Sequence, residues 1–349
     1  MKRPLNRVIY FVRATSKRTT IGGAEIYLSR LTNAINEKGL KYKVINSPLP
    51  NFLPSWLRVI LFNTYLCVFK KNKFYFSLER LSCADIYRAG DGVHKEFLKV
   101  IKKTKINPLH SVYKILEKRC FRNSKRIIAN SYFIKNEIIK NYDIDPKKIS
   151  VVYNGININH DSCKDSSELT KKFSLQNKRV ILFVGSGFER KGVKDLLYIL
   201  SRLKSKNFLA FIVGKERRMN SYKLLANELN LDNHVIFTGP KNNVNDYYEI
   251  SDIFVLPTLY EPFSNVILEA MSYFNVVFTT SQNGASEILD KNFVMKNSSD
   301  YSVAEKIDFL LNNETKLDAI KLRNYKTCQN FSIEKNLDKT LKIIDEVIN

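Results

Sequence analysis

The sequence predicts an α/β protein of two domains, each a parallel sheet flanked by helices, and three observations carry that prediction. A chain of 349 residues with 44% hydrophobic composition is too large for one core and too apolar for a disordered chain. Short apolar runs rich in Val, Ile, Phe and Tyr alternate with segments of helical periodicity, which is the pattern of successive βαβ units. Between residues 154 and 178 the apolar periodicity lapses into Asn, Asp, Ser and Lys, and the lapse marks a linker.

In chain order, residues 7–12 (RVIYFV) predict the first strand. The apolar run is short, ends at Arg13 and lacks a small-residue cleavage site, so it reads as a strand and not as a signal peptide. A helix follows over 24–38, stopped by Gly39. Strands are expected at 42–45, 84–88 and 125–129. Ser131 is placed to cap a helix over 133–140, and residues 149–153 (ISVVY) close the first unit. The second unit has strands at 180–184, 209–213, 234–238, 253–256 and 276–279, each trailed by a helical pattern. The tail from 332 to 348 is amphipathic, with Ile333, Leu337, Leu341, Ile344 and Val347 on one face, and is expected to pack back across both domains. The expected organisation is therefore two Rossmann-like domains, 1–155 and 179–330, a linker at 156–178, and a C-terminal crossover helix at 331–349.

The formal net charge of +23 points to an anionic partner. Its distribution is uneven: residues 1–155 hold 31 Lys and Arg against 10 Asp and Glu, and residues 156–349 hold 26 against 24. The densest basic segment, 93–126, reads as two amphipathic helices broken at Asn107-Pro108. Five cysteines at long intervals, with no CxxC pair, suggest reduced thiols in a cytosolic chain. Residues 56–69 (WLRVILFNTYLCVF) are too short to span a bilayer and read as a buried helix, with an apolar membrane anchor as the alternative.

Three clusters carry chemistry. Gly22-Gly23-Ala24-Glu25 lies between the first strand and its helix, where glycines admit a ligand to the backbone and the helix N-terminus offers free N–H groups; a tight turn is the plain alternative. Gly185-Ser186-Gly187-Phe188-Glu189-Arg190-Lys191-Gly192 sets two cations beside a glycine-rich turn, suited to phosphate oxygens or simply to solvent. It has neither the third glycine of a dinucleotide fingerprint nor the spacing of a Walker loop. The stretch 256–271 places Glu261 in a loop and Glu269 one turn into a helix, with Ser264 as its N-cap; a surface salt bridge is the alternative.

Taken together, Gly22-Gly23-Ala24-Glu25, Asn154-Gly155-Ile156, Arg190-Lys191-Gly192 and the Glu261-x7-Glu269 pair resemble the family 4 glycosyltransferases of the GT-B fold. Residues 87–94 (YRAGDGVH) and 183–193 (FVGSGFERKGV) look most like the bacterial lipopolysaccharide-core transferases of the glucosyltransferase I type. The resemblance implies retaining transfer of a hexose from a nucleotide-diphosphate sugar, at a cleft between two Rossmann-like domains, with no metal and no other cofactor. Arg190 and Lys191 would neutralise the diphosphate. Glu269 would hold the ribose and Glu261 the donor sugar, lined by Gly185 and by backbone groups of Phe263, Ser264 and Asn265. Gly22 and Gly23 would approach the phosphates from the other domain. Asp91 is the acidic group implied on the acceptor side, as base or orienter, with Arg88 beside it and His94 either touching the acceptor or serving as a satisfied structural histidine.

By the same analogy the donor is UDP-glucose, with UDP-galactose, UDP-N-acetyl sugars and GDP-mannose as alternatives, and the acceptor is a lipid-linked anionic glycan such as lipopolysaccharide core or another surface glycolipid. The sequence departs from the family at Ser186, where many members carry Arg, at Ser264, often Gly, and at Phe274-Asn275-Val276, where Gly-x-Pro is common. The basic first domain suggests peripheral binding to the inner face of the cytoplasmic membrane. A nucleic-acid binder lacks support from any helix-turn-helix, zinc-finger or aromatic RNA-sheet signature. A non-catalytic glycan-binding module is the third reading, disfavoured by the presence of Glu261, Arg190 and Lys191.

Overall fold

The structure is a computed structural model that describes residues 8–13, 23–100, 107–158 and 166–348. Gly22, residues 101–106 with Lys102, Lys103 and Lys105, and residues 159–165 of the expected linker lie outside the described residues. The chain divides into two compact units, Met1–Asn154 with Ile333–Asn349, and Gly155–Ser332.

In the N-terminal unit, β1 (Ile9–Arg13), α1 (Gly23–Glu37), β2 (Tyr42–Asn46), α2 (Ser55–Val68), β3 (Phe74–Ser77), β4 (Ile86–Ala89), α3 (His94–Val100), α4 (Pro108–Asn123), β5 (Arg126–Ala129), α5 (Tyr132–Tyr142) and β6 (Ile149–Val151) follow one another. The strands form one parallel sheet in the order β2-β1-β3-β4-β5-β6. Ser131 caps α5 by accepting from the Ile134 N–H at 3.2 Å, as its position implied.

In the C-terminal unit, α6 (Ser166–Lys172), β7 (Arg179–Val184), α7 (Phe188–Lys191), α8 (Val193–Ser201), β8 (Phe208–Val213), α9 (Met219–Glu228), β9 (Val235–Gly239), α10 (Asn245–Glu249), β10 (Ile253–Leu256), α11 (Asn265–Ser272), β11 (Val276–Thr280), β12 (Val294–Met295), α12 (Val303–Leu311) and α13 (Glu314–Cys328) build a second parallel sheet, ordered β12-β11-β10-β7-β8-β9. Every residue of β8, β10 and β11 is buried, as expected for strands covered on both faces.

The last helix, α14 (Ile333–Ile348), belongs to the N-terminal unit. Its Leu337, Leu341, Ile343 and Ile344 join Phe11, Leu28, Leu31 and Ile35 in one cluster, and Asn336 donates to the Tyr153 carbonyl at 2.6 Å. Each such apolar side chain contributes roughly 1.5–3 kcal/mol on burial.

Several expectations are corrected. The stretch read as linker contains α6, because Phe173 packs edge-on against Phe211 and Leu175 is buried. The helix at 56–69 is not buried: α2 hides only Phe62 and Leu66 and leaves Leu61, Tyr65, Val68 and the following Phe69 exposed, since only one of its faces meets the unit. The thiols are not all free. Cys67 on α2 and Cys83 before β4 form a disulfide, with Cα atoms 5.5 Å apart, because the loop carrying Cys83 folds against α2. Cys120 and Cys328 are buried free thiols.

Candidate active site

In the C-terminal sheet the strand order reverses between β7 and β10, and in open parallel sheets ligands bind outside the carboxyl ends of strands at such a reversal. The glycine-rich turn follows β7 and the two-glutamate segment follows β10, so the topology alone brings together the two motifs singled out in sequence.

Their side chains meet. Lys191 Nζ lies 2.6 Å from Glu261 Oε2, and the Arg190 guanidinium forms a short ion pair with the same oxygen. Arg190 Nη1 also donates to the Tyr260 carbonyl at 2.9 Å, and Lys191 Nζ to Ser264 Oγ at 3.3 Å. Burial by itself would raise the Glu261 carboxyl, but Lys191 and Arg190 outweigh it and hold the group at about 2. Burial pulls the Lys191 ammonium below its ordinary value, against the pull of Glu261.

Backbone geometry fixes this cluster. The Arg190 carbonyl accepts from Leu259 N–H at 2.9 Å and from Thr258 Oγ1 at 3.0 Å, tying α7 to the loop after β10. Gly192, at φ +77°, lies so close to that loop that an added Cβ would sit 1.9 Å from the Pro257 carbonyl oxygen. Only glycine fits there. Glu261 is held by backbone bonds from its N–H to Gln282 O and from Gly284 N–H to its own carbonyl, each 2.9 Å.

Ser264 occupies the N-cap position of α11, but its hydroxyl makes no capping bond, which corrects the role expected of it. Its Oγ faces Lys191 instead, and its N–H donates to Asn283 Oδ1 at 3.2 Å. Phe263 is buried beside it and Asn265 opens α11 half-buried. Glu269, one turn along α11, accepts from the buried Tyr248 hydroxyl at 3.1 Å. Gly185 follows β7 beside the aliphatic stem of Lys191, where an added Cβ would stand 3.5 Å from that stem. At Ser186 the hydroxyl accepts from the Lys215 N–H at 3.1 Å. Tyr248 and Asn283 escaped the sequence reading because nothing in their spacing sets them apart from core residues.

In the N-terminal unit, Gly23 opens α1, while Asp91, Arg88 and His94 gather around the end of β4. Asp91 is half exposed and stands 3.9 Å from Arg80. Arg88 is buried: its guanidinium lies 3.5 Å from the Tyr27 ring centroid and donates to Asn154 Oδ1 at 2.6 Å. His94 is also buried, with Nε2 3.1 Å from His110 Nδ1, and burial, aided by Arg80, His110 and Lys114, pulls its imidazole down to about 4. Arg13 joins Glu25 and Glu79 at 2.9 and 2.7 Å. Arg80 pairs at 3.0 Å with Glu117, which is fully buried. A glutamate inside a basic helix reads as a surface residue, so no local pattern marks it as buried. Among the described residues no group of three or more His, Cys, Asp or Glu could hold a metal ion, and no helix is long and apolar enough to cross a membrane.

Two six-stranded parallel units in one chain define the GT-B class of fold. The chain belongs to the family 4 glycosyltransferases: residues 165–327 match the family described as glycosyl transferases group 1, and residues 73–160 match glycosyltransferase family 4. It is 29% identical over 266 residues to the Escherichia coli UDP-Gal:alpha-D-GlcNAc-diphosphoundecaprenol alpha-1,3-galactosyltransferase, covering 71% of this chain and 67% of that one. Across three curated relatives that it resembles, the match spans 45% to 67% of their length. In fold it is similar to WaaG, a glycosyltransferase involved in lipopolysaccharide biosynthesis (TM-score 0.79, 19% identity, 96% of this chain and 99% of that one). It is likewise similar to Anabaena Alr3699/HepE in complex with UDP and glucose (TM-score 0.76, 17% identity, 97% and 100%).

Proposed function

We propose that the chain is a retaining glycosyltransferase that moves a hexose from a UDP-sugar, UDP-glucose first among the candidates, to a lipid-linked glycan acceptor such as lipopolysaccharide core. The observation that carries this reading is the convergence of Arg190, Lys191, Glu261 and Ser264 at the reversal point of the C-terminal sheet. Two cations held beside the N-terminus of α11 form a site for a diphosphate. With no donor bound, Glu261 is their counter-ion. A donor diphosphate takes over that role, and the Glu261 carboxylate is then free to accept from sugar hydroxyls. Glu269, braced by Tyr248, accepts from the ribose hydroxyls. Backbone groups of Phe263, Ser264 and Asn265, together with Gly185, line the sugar. As the bond to the leaving UDP breaks, Arg190 and Lys191 stabilise the charge that develops on its phosphate, so the reaction runs without a metal. Asp91 serves the incoming acceptor hydroxyl.

The UDP-sugar and lipid-linked acceptor draw support from the name of the Escherichia coli relative. The acceptor side is basic, and on it α4 presents Lys118, Arg119 and Arg122, none with an acidic partner among the described residues, around a concavity completed by Ser82, Ile115 and Asn123. Ser82 joins α4 to α2, accepting from Asn123 Nδ2 at 2.9 Å and donating its N–H to Asn63 Oδ1 at 2.8 Å. The exposed apolar residues of α2 therefore flank the basic helix, an arrangement suited to an anionic membrane surface such as the inner face of the cytoplasmic membrane.

A panel of labelled nucleotide sugars, with membrane extract as acceptor and EDTA in parallel, tests the reading. Donor hydrolysis and transfer that survive EDTA and vanish in Glu261→Gln support it; indifference to every nucleotide sugar overturns it. Flotation with vesicles tests the membrane surface, where equal binding to neutral and anionic vesicles would remove the electrostatic component.

A further inference from the structure

We infer that Arg80 and Glu117 are positioning residues that hold Asp91 for the acceptor, an inference that rests on the acceptor-side role proposed above for Asp91. Asp91 sits in the short connection from β4 to α3, and both ends of that connection are tied to one buried ion pair. At the far end, the Glu117 carboxylate accepts the His94 N–H with both oxygens, at 2.9 and 3.1 Å. Near the start, the Arg80 guanidinium reaches Asp91 Oδ2 at 3.9 Å while donating through Nε to Glu117 Oε1 at 3.0 Å. Glu117 is completed by the Tyr142 hydroxyl at 2.5 Å, and Arg80 lies 5.0 Å from the Tyr113 ring centroid.

The rest of the connection is equally constrained. Asn130 Nδ2 donates to the Gly90 carbonyl at 3.3 Å, and the Arg88 guanidinium packs so close beneath Gly90 that a Cβ there would stand 2.2 Å from Nη1. Asp91 is the exposed member of a segment whose next three residues, Gly92, Val93 and His94, are buried. The turn that delivers Arg80 is set as well, since Ser77 Oγ at the end of β3 bonds both the N–H and the carbonyl of Glu79.

A buried ion pair is a poor device for stability alone, because apolar residues of the same volume do as well or better. What Arg80 and Glu117 supply that apolar residues cannot is direction: a cation under the Asp91 carboxylate and an acceptor for the amide three residues on. Glu117 gives both carboxylate oxygens to the His94 amide and Arg80 turns its guanidinium to Asp91, at the two ends of the connection that carries Asp91, which is why we assign them to positioning.

The test compares transfer of labelled hexose to membrane extract with acceptor-free donor hydrolysis, in Arg80→Lys, Glu117→Gln, Asp91→Asn and the double variant Arg80→Lys/Asp91→Asn. Arg80→Lys keeps the charge and loses the fork geometry. It is expected to lower transfer at least tenfold, through kcat, with hydrolysis within twofold of the parent and no further loss in the double variant beyond Asp91→Asn. Glu117→Gln, nearly isosteric, reports the same split should Arg80→Lys fold poorly by circular dichroism. Parent-level transfer in both variants, or additive losses in the double variant, overturns the inference while leaving the Asp91 reading intact. Full transfer by Asp91→Asn overturns the Asp91 reading, and the positioning role falls with it.

Discussion

Lys191 and Glu261 meet at 2.6 Å with both side chains largely withdrawn from water, Lys191 delivered by the short helix α7 after β7 and Glu261 by the loop after β10. The pair couples the stability of the C-terminal unit to pH. Glu261 titrates at about 2 in the folded chain against an ordinary value of 4.5, so its contribution to stability is fully present above about pH 4.5 and is lost as pH falls towards 2. Thermal melts between pH 5 and 3 are expected to show a shallower decline in Glu261→Gln than in the parent, and parallel declines would refute the assignment.

Glu269→Ala removes a charged acceptor and strands the Tyr248 hydroxyl. Hydrogen bonds to charged groups are worth about 1.5–3 kcal/mol, so UDP affinity by calorimetry should fall about 10- to 100-fold. Tyr248→Phe leaves the carboxylate in place and should cost less; an equal loss in both variants would mean that Glu269 acts only through Tyr248.

Gly192→Ala tests the tie between α7 and the loop after β10. A non-glycine residue at φ +77° costs about 1–3 kcal/mol, before the clash with Pro257 is counted. The melting temperature should drop, and UDP binding should weaken more than in a surface control such as Lys204→Ala. A variant as stable and as competent as the parent would show that the loop can move aside.

These relationships mark where the sequence was readable. The strands of the C-terminal sheet announce themselves as runs such as RVILFV and FLAFIV, because a strand covered on both faces must be apolar throughout. The β3 strand did not: FYFS is four residues long and follows the lysine-rich stretch 70–73. Both cations and both glutamates of the donor site were legible as types and spacings, but the joining of Arg190 and Lys191 at one oxygen of Glu261 depends on the order of β7 and β10 in the sheet, which local pattern does not encode. The Cys67–Cys83 pair and the Arg80–Glu117 pair were hidden for the same reason: each is made by tertiary packing between segments with no shared periodicity.

His94 should remain neutral throughout the physiological range. Its folded value of about 4 lies below the ordinary 6.5, so stability from keeping it uncharged is fully present above about pH 6.5 and is lost as pH falls towards 4. Its imidazole carbon-bound proton resonances should not shift between pH 8 and 5.5, whereas a midpoint near 6.5 would place His94 in water.

Reducing the Cys67–Cys83 bond frees a loop of 16 residues, and closing a loop of that size is worth about 3 kcal/mol in the chain-entropy account. Iodoacetamide should label both cysteines only after reduction, and the oxidised protein should melt above Cys67→Ser/Cys83→Ser. Identical melting temperatures would mean that α2 is held by its other contacts.

Because α14 supplies Leu337, Leu341 and Ile344 to the N-terminal core, the first unit to be synthesised is the last to be finished. On the ribosome, residues 1–154 emerge without the helix that covers α1 and wait, with that apolar face open, until the whole C-terminal unit has been made. The C-terminal unit can complete its fold first, so the order of folding runs opposite to the order of translation. A nascent chain of this design exposes its basic half longest, and the excess of lysine and arginine there keeps that unfinished surface soluble through like-charge repulsion.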